Sequence, residues 1–313
     1  MKISIFGGVG FIGSHFIEDC LESIEGLELV IVDKLTYAAN MSFLAKLKQT
    51  KNVTFVHADL NEPEIYQNMI RNSRYAVNFA AESHVDNSIR NPMPFFKANA
   101  LGVSNVIMAC MNSEVSKFIQ VSTDEVYGSI EHGDFDEESK LDPSSPYSSS
   151  KASGDLIALS IWKTFKYPIL ITRGCNTFGP RQFPEKLIPL AIDRVNRNLP
   201  IPIYGSGHQI REWIYVKDHA SAIKKVAEEG IPGQIYNIGS GERLTNLGMI
   251  NSLLRLMGKD PSKFIEFIED RKGHDQRYAI NSLKIRSSLN WRNQFTIETG
   301  LLHMFGSKTT YST

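Results

Sequence analysis

The residue order Lys2-Ile-Ser-Ile-Phe6-Gly7-Gly8-Val9-Gly10-Phe11-Ile12-Gly13 runs a short apolar stretch straight into a glycine-rich turn. Gly8, Gly10 and Gly13 give the spacing G-x-G-x-x-G. A turn this tight, with backbone that approaches a pyrophosphate and a helix packed closely on a strand, needs residues without a Cβ. The spacing predicts a strand, a turn and then a helix over about 14–24 whose positive N-terminal end faces phosphates. Twenty residues past Gly13, a second apolar run, Leu27-Glu-Leu-Val-Ile-Val32, ends at Asp33. A carboxylate at that interval accepts hydrogen bonds from both ribose hydroxyls of an adenine dinucleotide, which predicts NAD rather than NADP.

Glycines also mark ordinary turns, so the rest of the chain supplies the context. Apolar runs at 3–6, 29–32, 54–57, 75–79, 118–122 and 169–172 alternate with longer amphipathic stretches. Continuous apolar runs of this length are strands buried on both faces, and the alternation predicts a doubly wound α/β parallel sheet. Ligands in such sheets sit beyond the strand C-termini. Asp33, Asp59, the 80–83 loop, Thr123 to Glu125 and the segment 173–176 are therefore the first candidates for a site. From Gly179 onward, Pro180, Pro184, Pro189, Pro200 and Pro202 break the regular alternation. The pattern predicts a dinucleotide-binding domain over 1–178 and a smaller C-terminal substrate-binding domain over 179–313. A segment near 215–240 is expected to return to the first domain, because Gln234-Ile-Tyr-Asn-Ile238 reads as a strand.

Composition excludes some partners. Lys plus Arg total 34 and Asp plus Glu total 34, so no overall field draws the chain to nucleic acid or to a membrane surface. No apolar run approaches the roughly 20 residues that cross a bilayer. Cys20, Cys110 and Cys175 are widely spaced, which suits reduced thiols better than a disulfide framework. A cytoplasmic location is expected. His84, His208 and His274 lack ligand spacing, and no metal is expected.

Two constellations carry chemistry. Tyr147 and Lys151 have the spacing Y-x-x-x-K, one helical turn apart on one face. An ammonium near a phenol favours phenolate, and a phenolate beside a nicotinamide can take a hydroxyl proton while hydride leaves the same carbon. Ser122 and Thr123, at the end of a strand, could hold that same oxygen. Asp124 and Glu125 follow directly. Hydride transfer needs only the tyrosine, whereas two adjacent carboxyls suit a second proton abstraction and a protonated leaving group, the needs of eliminating water next to a ketone. Close like charges would keep one of them protonated near neutrality. At this level the alternative stays open that either acid caps a loop or pairs with a surface cation.

These residues resemble the extended short-chain dehydrogenase/reductase family, and within it the NAD-dependent nucleotide-sugar epimerases and dehydratases. The resemblance runs through Gly7 to His15, Asp33 to Tyr37, Ala80-Ala-Glu-Ser-His-Val-Asp86, Ser122 to Gly128, Tyr147 to Lys151, Phe183-Pro-Glu-Lys-Leu-Ile-Pro189, Ile203 to Arg211 and Arg271-Lys-Gly-His-Asp275. The last three blocks are specific to nucleotide-sugar dehydratases. The resemblance implies a Rossmann-type sheet and a 4,6-dehydration, with dTDP-glucose as the first candidate substrate and UDP- or CDP-glucose as alternatives. Tyr147, assisted by Lys151 and Thr123, would remove the C4 hydroxyl proton, Glu125 the C5 proton, and Asp124 would protonate the departing C6 hydroxyl. It implies NAD contacts at Gly7, Gly10, Phe11, Ile12, Gly13, Asp33, Lys34, Leu35, Thr36, Asp59, Leu60, Ala80, Ala81, Ser83, Asn99, Tyr147 and Lys151. For the nucleotide-sugar it implies Ser83, His84, Thr123, Asn176, Lys186, Leu187, Pro202, Ile203, Tyr204, Arg211, Asn246, Arg271 and His274. A 4-epimerase would share the fold and the tyrosine–lysine pair without needing Asp124 and Glu125. A cofactor-sensing module without chemistry would be expected to have lost one of the four. Relatives of this kind pair helices like those around 94–111 and 150–165 into a four-helix bundle, so a homodimer is expected. The chain departs from the family pattern at Phe6, Ala39, Thr177 and Phe178. Thr177 stands where a side chain is expected to reach the sugar or the nicotinamide, which leaves the hexose open.

Overall fold

The computed structural model describes residues 1–306. Its central element is a seven-stranded sheet in which every pairing is parallel. The strands are β1 (Lys2–Phe6), β2 (Glu28–Asp33), β3 (Val53–His57), β4 (Tyr75–Asn78), β5 (Phe118–Thr123), β6 (Ile169–Gly174) and, much later in the chain, Ile235–Ile238 at the edge beside β6. The spatial order, with that late strand at one end, continues β6-β5-β4-β1-β2-β3. The chain therefore reverses its direction of travel between β1 and β4, the switch point beyond which a doubly wound sheet binds ligands. This is a Rossmann-type α/β fold.

Alternate residues of each strand feed two separate cores. Ile3, Ile5, Leu29, Ile31 and Val77 pack on one face with Phe16 and Ile17 of the helix Phe11–Ser23 and with Ile223 and Val226 of the helix Val216–Glu229. Phe6, Val30, Val32, Ala76 and Phe118 pack on the other with Val103, Val106 and Ile107 of the helix Val103–Asn112 and Ala158 and Ile161 of the helix Pro146–Phe165. Burial on both faces is why the inner strands read as near-continuous apolar runs, whereas β3, at the sheet edge, leaves Thr54 and His57 exposed.

The first helix begins at Phe11, earlier than its predicted start, because the N–H of Ser14 already bonds to the carbonyl of Gly10. The glycine turn also differs from the expected G-x-G-x-x-G reading. Gly7, with φ of +73°, makes the turn and accepts from the N–H of Gly10, while a Cβ on Gly8 would run into Ile17 and Ile31 inside the core. The working pattern is Gly7, Gly10 and Gly13, spaced three apart.

Beyond β6 a smaller set of elements forms a third core around Phe178, Ile188, Ile203, Trp213, Leu253 and Leu301. It contains β7 (Asn176–Phe178), β8 (Ile201–Tyr204) and β9 (Ile210–Tyr215); then, counting the late sheet strand Ile235–Ile238 as β10, come β11 (Arg243–Thr245) and β12 (Ile265–Ile268). They form a three-stranded sheet β11-β9-β7 and a parallel pair β12-β8. The helix Leu187–Asn196 precedes β8, and Asn246–Leu256 follows β11. No helix among the described residues is long and apolar enough to cross a membrane.

Candidate active site

A cavity of about 800 Å³ lies along the C-terminal ends of the central strands, between the two groups of elements. Its first half is a dinucleotide cradle. A Cβ on Gly13 would stand 2.6 Å from the carbonyl oxygen of Gly7, and one on Gly7 would stand 2.5 Å from the nitrogen of Ala80. The backbone is thus brought closer than any other residue would allow, and the helix N-terminus opens onto the cavity through Gly10, Phe11, Ile12 and Gly13. Asp33 closes the β2 end, its two carboxylate oxygens accepting the backbone N–H groups of Val9 and Leu35 at 2.9 Å each. Those bonds fix the carboxylate plane and leave further lone pairs for two hydroxyls. Burial raises its pKa, against the pull of the two donors. Lys34 pairs with Asp59 at 2.9 Å on the same wall, with Thr36, Leu60, Ala80, Ala81 and Ser83 beside them. This half of the chain therefore fits an adenine dinucleotide.

Two residues expected on that wall act from behind it. Leu35 sits at φ +55° and contributes its N–H to Asp33. The Asn99 amide is occupied by the backbone of Glu82 at both ends and by Ser150 Oγ, so it fixes the 80–83 loop rather than presenting a free group.

The second half gathers Thr123, Asp124, Glu125, Tyr147, Lys151 and Asn176 on one wall. Thr123 ends β5, and its hydroxyl caps the short 3₁₀ turn Asp124–Tyr127 by accepting the N–H of Glu125. That cap turns both acids off the sheet edge into the cavity. Tyr147 and Lys151 stand one turn apart at the start of the helix Pro146–Phe165, whose N-terminus is fixed by a reciprocal Ser145–Ser148 capping box. The Lys151 ammonium donates to the Val121 carbonyl at 2.7 Å.

The electrostatics separate the two acids. Burial, then the neighbouring Glu125, raise Asp124 well above the usual carboxylate range. Burial also raises Glu125, while Arg271, Lys186 and Arg211 draw it down. Asp124 is the proton-holding member and Glu125 the more readily ionised one. The Tyr147 phenol departs from expectation: burial and the charges of Glu125 and Asp124 raise it, and only the Thr123 hydroxyl opposes them. Lys151, brought down by burial to about 8, does not by itself make a phenolate here.

Of the residues expected around a nucleotide-sugar, Ser83, Thr123, Asn176 and Lys186 line this cavity, and the others lie outside its lining, most of them on the later elements. Lys186, N-cap of the helix that starts at Leu187, donates to the Ser83 carbonyl at 2.7 Å and so joins the β4 loop to the smaller unit. Arg211 is buried, donates to the carbonyls of Ile210 and Asp275 and lies 4.1 Å from the Tyr278 ring centroid. Arg271 faces Asp86 at 3.9 Å with its Nε unpartnered among the described residues, and Asp86 also accepts from the Tyr204 hydroxyl at 2.9 Å. His274 bonds Asp270 at 2.6 Å, and His84 caps its helix by accepting the N–H of Asn87. Asn246 opens the helix that follows β11. Ile203 corrects its expected role: along β8 it alternates inward, 2 % exposed in the third core, so Pro202 and Tyr204 form the outward face. Thr177 lines the cavity, but its hydroxyl is turned to His219 Nδ1 at 2.7 Å, away from the role of a free sugar contact.

Sequence reasoning passed over Asp86, Gln182 and His219. Asp86 lies within the segment Ala80–Asp86 but matters only through Tyr204 and Arg271, which are distant in sequence. Gln182 sits in the proline-rich connection, and His219 at a strand-to-helix junction with no spacing that marks it.

A glycine cradle, a ribose carboxylate and a tyrosine–lysine pair on one Rossmann-type sheet define an extended short-chain dehydrogenase/reductase. A family model described as GDP-mannose 4,6 dehydratase matches residues 5–304, and the chain belongs to that family. It is 44 % identical over 301 residues to the low-salt glycan biosynthesis protein Agl12 of Haloferax volcanii, covering 96 % of each chain. It is 38 % identical to a dTDP-glucose 4,6-dehydratase of Streptomyces niveus, over 96 % of this chain and 91 % of that one. Among solved structures it resembles DesIV, a dTDP-glucose 4,6-dehydratase of Streptomyces venezuelae crystallised with NAD and dTDP. The TM-score is 0.94 at 39 % identity, over 97 % of this chain and 95 % of that one.

Proposed function

We propose that this chain is an NAD-dependent dehydratase that converts dTDP-glucose to dTDP-4-keto-6-deoxyglucose, a step of deoxysugar biosynthesis. The observation that carries the reading is the presence of Asp124 and Glu125, both raised by burial but Asp124 the more strongly, lining the same cavity as Tyr147 and in continuity with the dinucleotide cradle.

NAD+ held along the glycine turn Gly7–Gly13 and by Asp33 would supply a store for the C4 hydride until its return to C6, and a positive charge that favours ionised Tyr147. Thr123 holds the C4 oxygen, and Tyr147 takes its proton, with Lys151 adding charge from one turn away. The C4 ketone acidifies the C5 proton, which Glu125 removes. Asp124, kept protonated by burial and by Glu125, gives its proton to the C6 hydroxyl, which leaves as water. As the hydride arrives at C6, Glu125 returns its proton to C5, and the proton taken by Tyr147 restores Asp124, so the net change is loss of one water. Arg211 and Arg271 suit a diphosphate because a guanidinium makes paired, charge-assisted hydrogen bonds. The reading assigns the cofactor to 1–178 with the segment near 215–240, and the nucleotide-sugar to the elements after 179. The protein acts in the cytoplasm as a homodimer.

The test is to incubate the purified protein, without added cofactor, with dTDP-, UDP- and CDP-glucose separately and follow each by mass spectrometry. Loss of one water from dTDP-glucose is expected. An unchanged mass with a new stereoisomer overturns dehydration in favour of epimerisation, and water loss only from UDP- or CDP-glucose overturns the base assignment.

A further inference from the structure

The proposed chemistry leaves His219 without a task, although its position is unusual. It lies in the first turn of the helix Val216–Glu229, is 2 % exposed, and lines the cavity together with Gly174, Cys175, Thr177 and Gln182. The ring occupies the space that a side chain at 174 would fill: a Cβ on Gly174 would stand 2.4 Å from Nε2. By register Gly174 pairs with Thr123, so this wall is next to the reacting end of the site.

The hydrogen bonds around the ring fix its tautomer. Thr177 Oγ1 lies 2.7 Å from His219 Nδ1 and 3.2 Å from the Cys175 carbonyl. A hydroxyl has one proton, and a carbonyl can only accept, so both contacts are made when the hydroxyl donates to Cys175 and accepts from Nδ1–H. Nε2 then presents a bare lone pair, and it has no partner among the described residues. Burial holds the ring neutral, with a pKa brought down to about 4. Gln182 is tied to the same threonine through its backbone. Its Nε2 donates to the Thr177 carbonyl at 2.8 Å, and its Oε1 is also buried without a partner among the described residues. Two unused acceptors thus flank one residue, at the end of the cavity where a nicotinamide must lie if Tyr147 is to work beside it. A buried acceptor left unpaired is costly. The one group on a nicotinamide ring with two N–H donors is its carboxamide.

We propose that His219 Nε2 and Gln182 Oε1 receive the two N–H donors of the nicotinamide carboxamide, and so set which face of the ring meets the sugar. The inference rests on the NAD reading above. His219 and Gln182 act as positioning residues, since they touch the cofactor through a group that does not react.

The test is calorimetric titration of the cofactor-stripped protein with three ligands: NAD+, 3-acetylpyridine adenine dinucleotide, in which a methyl group replaces the carboxamide nitrogen, and ADP-ribose, which lacks the ring. The wild-type protein is expected to prefer NAD+ over the acetylpyridine analogue by about tenfold, the size of a lost buried hydrogen bond. His219→Phe is expected to abolish that preference and leave ADP-ribose binding unchanged, and His219→Gln, which keeps an acceptor, to restore part of it. No wild-type preference overturns the proposal without any substitution. Equal weakening of all three ligands in His219→Phe also overturns it, leaving a structural histidine. Failure of the wild type to bind either NAD+ or ADP-ribose defeats the cofactor reading and this inference with it.

Discussion

Asp124 and Glu125 are adjacent in sequence, share one capped turn and still differ in what they can do. Asp124 is buried and faces a neighbouring carboxyl, so it keeps its proton, while Glu125 lies nearer Arg271, Lys186 and Arg211. Removing the base without disturbing the acid is therefore expected to stop the reaction part-way. Glu125→Gln should lower kcat by roughly 10²–10⁴-fold while leaving C4 oxidation intact, so that absorbance from reduced cofactor builds up on mixing with dTDP-glucose. Full turnover in that variant would remove Glu125 from the mechanism. The buried histidines make a second prediction. His15 and His219 have folded pKa values brought down to about 4, whereas the unfolded chain titrates near 6.5. Between these values the unfolded state binds more protons, so stability is full above 6.5 and is lost as pH falls toward 4. For His219 the shift corresponds to about 3 kcal/mol. Urea denaturation of the cofactor-stripped protein at pH values on either side of this window should show His219→Phe losing less stability on acidification than the wild type. Parallel slopes would mean that His219 is charged in the fold.

At the level of elements, what was legible followed burial. The inner parallel strands are legible to within a residue or two because both of their faces are covered, which leaves a near-continuous apolar run in the sequence, while the edge strand β3 shows only through Val53, Phe55 and Val56. β7, β8, β11 and β12 were not individually legible, because they are three or four residues long and are held by partners such as Trp213 for Asn176 or Ile265 for Ile201. The same limit applied to the site. The glycine turn, Asp33 and the Tyr147–Lys151 spacing are local and could be read, although Gly7 and not Gly8 proved to make the turn. Tyr204 to Asp86, Lys186 to Ser83 and Thr177 to His219 join residues 118, 103 and 42 positions apart, and no spacing announces them. The helix Pro146–Phe165 shows how local chemistry serves the site. The Ser145 hydroxyl accepts the N–H of Ser148 and the Ser148 hydroxyl accepts the N–H of Ser145, on either side of Tyr147 in the chain. Ser145→Ala removes that cap and is expected to lower unfolding stability by about 1 kcal/mol. A larger proportional fall in kcat than in stability would show that the cap also aims the phenol; unchanged thermal unfolding would show that the helix start is held by its tertiary contacts alone.

For the whole molecule, the same helix has a second face. Leu156, in the middle of the helix, is 58 % exposed, and on the preceding helical stretch Met93, Leu101 and Met108 are 68 %, 53 % and 42 % exposed. The two helical stretches are locked together by a close approach at Gly154, where a Cβ would meet the Asn99 carbonyl at 2.4 Å and Val103 at 3.4 Å. Large side chains held outward on a rigid pair of helices form the kind of apolar patch that a monomer rarely leaves exposed. A second copy would bury it against the same patch, since a two-fold interface is self-complementary. Light scattering at micromolar concentration is expected to give twice the chain mass of 35.2 kDa for the wild type and the single-chain mass for Leu156→Glu, with the circular dichroism spectrum unchanged. Because Tyr147 and Lys151 ride on the inner side of this helix, the dissociated variant should also melt lower and turn over more slowly, as the interface no longer buttresses the wall that carries the chemistry. A wild-type monomer at that concentration would remove the dimer from the proposal and leave the exposed leucines and methionines without a partner of this kind.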